Sequence, residues 1–259
     1  MQHQKIIDYI VAWLNNYSEK SKTNGFVVGI SGGIDSALTS ALCALTGKNV
    51  MVLNMPILQH SAQYARANEH INWLKKNFSN VSSEEIDLSD AFKGLCKDLP
   101  QNIQDNLTMA NLRSRLRMLT LYAFAGNKKM LVAGTGNKIE DFGIGFFTKY
   151  GDGGVDLSPI ADLTKTEVFA LAKHLNVVES IQKAKPTDGL WDDDRSDEDQ
   201  IGATYPELEW AMDYINNNQK SDLTEREKEV LKIYTHLNKI NQHKMQPIPV
   251  CLIDEKLKK

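Results

Sequence analysis

One stretch early in the chain combines the residue types and spacing that suit phosphate chemistry. Gly29-Ile30-Ser31-Gly32-Gly33-Ile34-Asp35-Ser36 follows a short apolar run, 25–30, and leads into an Ala- and Leu-rich helical pattern, 36–45. It reads as a turn from a buried strand into a helix N-terminus, where free N–H groups and the positive end of the helix dipole face outward to an anion. The hydroxyls of Ser31 and Ser36 add donors, and Asp35 can hold a divalent cation. No Gly-Lys-Ser/Thr occurs, which excludes a Walker A loop. The GxSxG at 29–33 also permits a nucleophile elbow with Ser31 attacking an acyl group. That elbow would follow the first strand, before a hydrolase sheet has built the strand that feeds its oxyanion loop. A purely structural glycine turn is the third reading.

Other candidates lie further on. Glu140 sits in a glycine-dense stretch, 134–154, of the kind that hosts backbone-to-ligand contacts. Asp152 is flanked by Gly151 and Gly153, either as an acid–base group in a closing loop or as an Asp-Gly turn. Arg113, Arg115 and Arg117 share one helical pattern, with 113 and 117 on one face and 115 pointing elsewhere, so at most part of this cluster meets a ligand. Lys165, second in the capping box Thr164-Lys165-Thr166-Glu167, is by default a solvated first-turn residue, yet its charge opposes the helix dipole and favours an external anion. The charge run 191–199 reads as a solvated loop, and His243 alone as a surface histidine.

The elements that must position these residues alternate along the chain. Amphipathic or apolar helical patterns cover 3–18, 36–45, 61–78 and 101–125, with a shorter one through Phe92 and Leu95. Extended apolar runs lie at 25–30, 50–55, 81–88 and 129–133. Strands separated by crossover-length helices give an α/β fold with a parallel sheet covered on both faces. Two capping boxes, at 164–167 and 224–227, open later helices and suggest a helical C-terminal extension of a single domain.

Composition narrows the classes. With 259 residues, 42% hydrophobic and 24% charged, the chain is an ordinary globular one. Thirty Lys and Arg against thirty-three Asp and Glu leave a net charge of −3, without the basic excess that would point to nucleic acid. No apolar run reaches membrane-spanning length, and the N-terminus lacks a signal-peptide core. Cys43, Cys96 and Cys251 are too few and too scattered for a disulfide framework or a zinc site, which suits a reducing, cytoplasmic setting.

Ser31-Gly32-Gly33-Ile34-Asp35-Ser36 resembles the SGGxDS pyrophosphate loop of the N-type ATP pyrophosphatases. Gly134-Thr135-Gly136-Asn137-Lys138-Ile139-Glu140 and then Gly145-Phe146-Phe147-Thr148-Lys149-Tyr150-Gly151-Asp152-Gly153-Gly154 look like the NAD synthetase branch, in a form found in both its ammonia- and glutamine-using members. Lys185-Pro186-Thr187, Ser196-Asp197-Glu198-Asp199 and His243-Lys244 fit the same branch in the same order, so the resemblance spans nearly the whole chain. It implies a doubly wound, Rossmann-like sheet of the adenine nucleotide alpha hydrolase type. It also implies a reaction: deamido-NAD, ATP and ammonia give NAD, AMP and pyrophosphate, with Mg2+.

The same resemblance assigns roles. Gly29 through Ser36, Thr135, Lys165 and Thr187 would bind ATP, and Asp35 and Glu140 would hold Mg2+. Arg115, Lys149, Asp156, His243 and Lys244 would bind deamido-NAD, and Ser31 and Asp152 are the candidate catalytic groups. It further implies a homodimer. The chain departs from its relatives just after the second strand, where many carry an arginine. Here the stretch is Met55-Pro56-Ile57-Leu58-Gln59-His60, with Gln59 as a substitute polar group. A glutaminase domain needs well over a hundred residues, so free ammonia is the expected nitrogen donor.

Overall fold

The computed structural model describes residues 1–58, 61–187, 196–217 and 222–258. In chain order the elements are α1 (His3–Lys20), β1 (Gly25–Gly29), α2 (Ile34–Leu45), β2 (Asn49–Asn54), α3 (Ser61–Asn77), β3 (Val81–Glu85), α4 (Ser89–Asp98), α5 (Asn106–Lys128) and β4 (Leu131–Val132). A π-helical turn, Lys138–Ile144, precedes α6 (Lys165–His174), α7 (Glu179–Gln182), α8 (Asp197–Ile201), α9 (Tyr205–Asn216) and α10 (Glu225–Met245).

The sheet is parallel throughout, in the order β3-β2-β1-β4. Because strand side chains alternate between faces, β1 divides between two cores. Phe26 and Val28 pack with α1, α2, α3 and α6 on one side, and Val27 packs beneath α4 and α5 on the other. Helix α2 is buried from Ile34 to Ala44 almost without interruption, which explains its small residues: Ala37, Ser40, Ala41 and Ala44 let neighbouring helices approach. A third core, around Ile139, Ile144, Leu208 and Tyr234, holds the π-helical turn against α9 and α10. The chain leaves β1 toward β2 on one side, while β4 lies on the other. The order therefore reverses beside β1, and a crevice opens there at the carboxyl ends of the strands.

Several boundaries differ from the sequence expectations. The long helix begins at Asn106 because the Asp105 side chain accepts the Thr108 N–H at 3.0 Å, and residues 101–103 form a separate 3-10 turn. β4 is two residues long: Lys129 closes α5 in a left-handed conformation, and Ala133 leaves to bridge Leu157. The expectation that 191–199 is a solvated loop fails where the chain is described. Ser196 and Asp199 form a capping box that opens α8, and Asp197 is buried. Four such boxes start α6, α8, α9 and α10, each satisfying two otherwise orphaned backbone donors.

Candidate active site

The phosphate loop turns from the end of β1 into α2. The Ser31 N–H donates to the Ser36 Oγ at 3.2 Å, the two serine hydroxyls lie 3.0 Å apart, and the Gly33 N–H donates to the Ser31 Oγ at 3.2 Å. Gly33 caps α2 without a side-chain bond, so the first N–H groups of that helix point to whatever occupies the crevice. Gly32 has φ +81°, and a Cβ there would stand 2.6 Å from the Gln63 carbonyl oxygen, so glycine is required.

Asp35 and Glu140, far apart in sequence, converge on one buried cation. The Lys165 ammonium donates to the Asp35 Oδ2 at 2.6 Å and to the Glu140 Oε1 at 2.8 Å. Lys165 is only 3% exposed, so it is not the solvated first-turn residue its position suggests. The anions it meets are the protein's own carboxylates, not the external anion expected from its position. Asn137 caps the π-helical turn and also donates to the Asp35 Oδ1 at 3.1 Å, fixing Asp35 from its other side. The Tyr205 hydroxyl donates to Glu140 and lies 3.3 Å from the Asp197 Oδ2, while the Lys165 Nζ sits 4.7 Å from the Tyr205 ring centroid.

The electrostatics follow from burial and proximity. Burial, followed by repulsion from Glu140, raises the Asp35 pKa, with Lys165 opposing both. Burial also pushes Glu140 upward, but attraction and hydrogen bonding from Lys165 and the Tyr205 hydroxyl outweigh it, so its carboxyl lies below the usual range. Burial and the flanking carboxylates Glu140 and Asp197 raise the Tyr205 pKa, which keeps its hydroxyl a donor. Asp141 is pushed well up by burial and by the charges of Asp152 and Glu140.

A single cavity joins these groups. Its lining includes the loop residues Gly29, Ile30, Ser31, Gly33, Ile34, Asp35 and Ser36, together with Thr135, Glu140, Asp152, Lys165 and Thr187. Its carboxylates Asp35, Glu140, Asp141, Asp152 and Asp197 outnumber its cations Arg117, Lys165 and Lys185. A polyphosphate would enter this acidic recess only with cations of its own. Two converging carboxylates beside serine hydroxyls are hard oxygen donors, and Mg2+ bound to phosphates needs no more than one or two such protein ligands. The residues therefore fit a nucleotide-borne Mg2+.

Asp152 faces the cavity from a turn tied to α5. Its Oδ1 accepts the Ser114 hydroxyl at 2.7 Å and the Thr148 N–H at 2.9 Å, and its own N–H donates to Ser114 at 2.8 Å. The surrounding protein raises its pKa through desolvation, against the pull of those bonds.

The residues expected to bind the second nucleotide assemble beside this cavity, outside its lining. Arg115 donates from Nε and Nη2 to the Lys149 carbonyl oxygen at 3.4 and 3.3 Å, Lys149 donates to the His243 carbonyl oxygen, and Lys244 donates to the Phe147 carbonyl oxygen at 2.8 Å. Asp156 stands apart from this basic group. Its carboxylate accepts the Tyr122 hydroxyl at 3.0 Å and the Val132 N–H at 2.8 Å, which anchors β4. Gln59 lies outside the described residues. The guanidinium that does reach the end of β2 is Arg117, whose Nε donates to the Met55 carbonyl oxygen at 3.0 Å. Sequence reasoning missed Tyr205 and named Arg117 only as one of a cluster of three. Shared helical phase separates Arg117 from Arg115, but only the packing of α5 shows which of them faces inward.

A parallel sheet with a glycine-and-serine phosphate loop at its switch point, backed by paired carboxylates, defines a nucleotide-binding α/β protein of the ATP-pyrophosphatase type. Residues 6–248 match the family model described as NAD synthase. The chain belongs to the NAD synthase family. An NH(3)-dependent NAD(+) synthetase from Alkaliphilus metalliredigens is 39% identical over 251 residues, covering 94% of this chain and 97% of the relative. Among solved structures, an NMN synthetase from Francisella tularensis superposes with a TM-score of 0.86 at 30% identity, covering 98% of this chain and all of that one. An NH3-dependent NAD synthetase from Campylobacter jejuni superposes with a TM-score of 0.80 at 26% identity, covering 97% of this chain and all of that one.

Proposed function

We infer that this protein adenylylates the nicotinate carboxylate of deamido-NAD with ATP and amidates it with ammonia, releasing NAD, AMP and pyrophosphate. The observation that carries this reading is the convergence of the phosphate loop, Asp35, Glu140 and Lys165 on one crevice within a chain of this family. A carboxylate does not accept ammonia directly, because oxide cannot leave. Its oxygen must first attack the α-phosphorus, breaking the bond to pyrophosphate. Ammonia then attacks the acyl carbon, AMP departs, and a proton is lost.

Each step has a residue for it. The N–H groups at the start of α2 and the Ser31 and Ser36 hydroxyls cradle the departing pyrophosphate. Asp35 and Glu140 would hold Mg2+, which when bound offsets the crowded phosphate charge. Lys165, freed from those carboxylates, would meet the phosphates, and Thr135 and Thr187 line the nucleotide's side of the cavity. Arg115, Lys149, His243 and Lys244 form the landing surface for the second nucleotide's phosphates. Asp152 draws ammonium toward the acyl adenylate and accepts the proton. Asp156, held in place by the Tyr122 hydroxyl and the Val132 N–H, would meet deamido-NAD from the β4 side.

The Francisella tularensis neighbour supplies a second reading, in which the amidated substrate is the mononucleotide counterpart. One assay separates the two. Pyrophosphate release and amide formation would be followed with deamido-NAD or nicotinate mononucleotide, with ammonium present or omitted. Saturation by deamido-NAD at the lower concentration supports the main reading, and the reverse supports the second. Pyrophosphate release independent of both overturns both.

We place the enzyme in the cytoplasm as an ammonium user, on its three unpaired cysteines and its likeness to NH(3)-dependent relatives. No helix of the described residues is long and apolar enough to cross a membrane. A homodimer accounts for α5, which packs one side on the sheet while Leu107 and Leu119 stay 61% and 63% exposed.

A further inference from the structure

Within the same cavity, and resting on the reading above, we propose that Arg117 is a substrate-binding residue whose guanidinium grips paired anionic oxygens at the reacting centre. These oxygens come from the α-phosphate of ATP or from the carboxylate it adenylylates.

Arg117 is half-buried on the inner face of α5 and lines the cavity. Its Nε is committed to the Met55 carbonyl oxygen at 3.0 Å, which fixes the plane of the guanidinium at the end of β2. Among the described residues, Nη1 and Nη2 have no hydrogen-bond acceptor and no carboxylate forms an ion pair with them. The cavity's other buried cation is neutralised. Lys165 spans Asp35 and Glu140, and Tyr205 bridges Glu140 and Asp197.

An unpaired guanidinium in such a place is costly. Desolvation, then the neighbouring Arg113 charge, pushes its pKa down to about 10, with Asp152 pulling the other way. A merely structural arginine at this position would be worth no more than its one bond to a backbone carbonyl, which a neutral donor could make as well. The fork geometry left over, two parallel N–H donors on a rigid plane, matches a carboxylate or phosphate edge. Part of the cavity wall on this side is apolar: Met55, whose carbonyl oxygen holds Arg117, and Leu121 meet above Gly29, where an added Cβ would lie 3.3 Å from the Met55 Cε and 3.6 Å from Leu121. Such walls strengthen a charge-assisted bond to an incoming anion.

Full-length wild type, Arg117→Met and Arg117→Lys would be titrated by calorimetry with α,β-methylene-ATP plus Mg2+, and separately with deamido-NAD. In Arg117→Met, affinity for one of these ligands is expected to fall by about thirty-fold or more, while the other changes less than about threefold. Arg117→Lys should recover only part of that loss, because lysine keeps the charge and loses the fork. The ligand that weakens identifies the source of the oxygens. Unchanged affinity for both ligands overturns the proposal. So does an equal weakening of both with a lowered melting temperature, since that marks a structural role. If the variants do not fold, wild-type crystals with both ligands decide: Nη atoms within hydrogen-bond distance of ligand oxygen support it, and a guanidinium turned from both ligands overturns it. Failure of wild type itself to bind deamido-NAD would instead count against the function proposed above.

Discussion

The two halves of the site treat charge in opposite ways. On the phosphate-loop side, Asp35, Glu140, Lys165 and Tyr205 satisfy one another inside the protein, and the ion pairs are almost fully shielded from water. On the other side, Arg115, Lys149 and Lys244 rest their donors on backbone carbonyl oxygens, and among the described residues none is paired with a carboxylate. On the proposed function, the closed network would have to be reopened by its ligand, with incoming phosphates and cation replacing Lys165 between the carboxylates. An open basic surface needs only an anion of the right shape. On the function proposed above, the first half would make chemistry conditional on metal and nucleotide together, and the second would gather substrate.

The largest effects should come from breaking the closed half. Asp35→Ala or Glu140→Ala removes a carboxylate that faces the phosphates and also strands part of the Lys165 charge. Turnover is expected to fall by about a hundredfold or more. Steady-state pyrophosphate release measures it, and near-normal turnover in either variant would refute the role.

Asp152 lies between the halves and tests the ammonia step. Asparagine keeps an oxygen to accept from Ser114 and Thr148, so the turn should survive while the base is lost. Asp152→Asn should slow amidation by about a hundredfold and leave adenylylation near wild type. Quenched-flow separation of acyl adenylate from amide product reads both. Equal loss in the two half-reactions would make Asp152 structural.

Neutralising the open half should sharpen the contrast. Arg115→Met and Lys244→Met should each raise KM for the second nucleotide by about tenfold with kcat within twofold, the signature of lost uniform binding. The wild-type KM should rise with salt, because these cations are partly exposed. A loss confined to kcat would show that this surface takes part in the chemistry.

The smallest effect is thermal. In Lys165→Met the Asp35 and Glu140 carboxylates face each other without their shared cation, and removing one member of a buried pair is destabilising. Mg2+ without nucleotide should then raise the melting temperature of the variant by about 3–5 °C and of wild type by less. Equal responses would show that Lys165 does not stand where the metal must go.

Much was legible in the chain itself. The phosphate loop, the parallel sheet and the helices of both faces follow from local rules: apolar period, glycine punctuation and capping boxes are written within a few residues of where they act. Arg117 shows the limit of that reading. Its helical phase was plain, but phase does not tell which side of α5 meets the sheet. Asp197 shows it too, since a run of acids gives no hint that one of them will lie buried under a tyrosine from the next helix.

What the sequence by itself determined, then, is the loop, the strand and helix order and the set of residue types that phosphate chemistry requires. Only the tertiary structure decided the pairings. Asp35, Glu140, Lys165 and Tyr205 come from four separate elements, and their contacts depend on the sheet and three cores fixing those elements in space. Local propensity acts over a few residues. The charge network is set by packing between elements well separated in the chain, with Asp35 meeting Asn137 and Lys165 across more than a hundred positions.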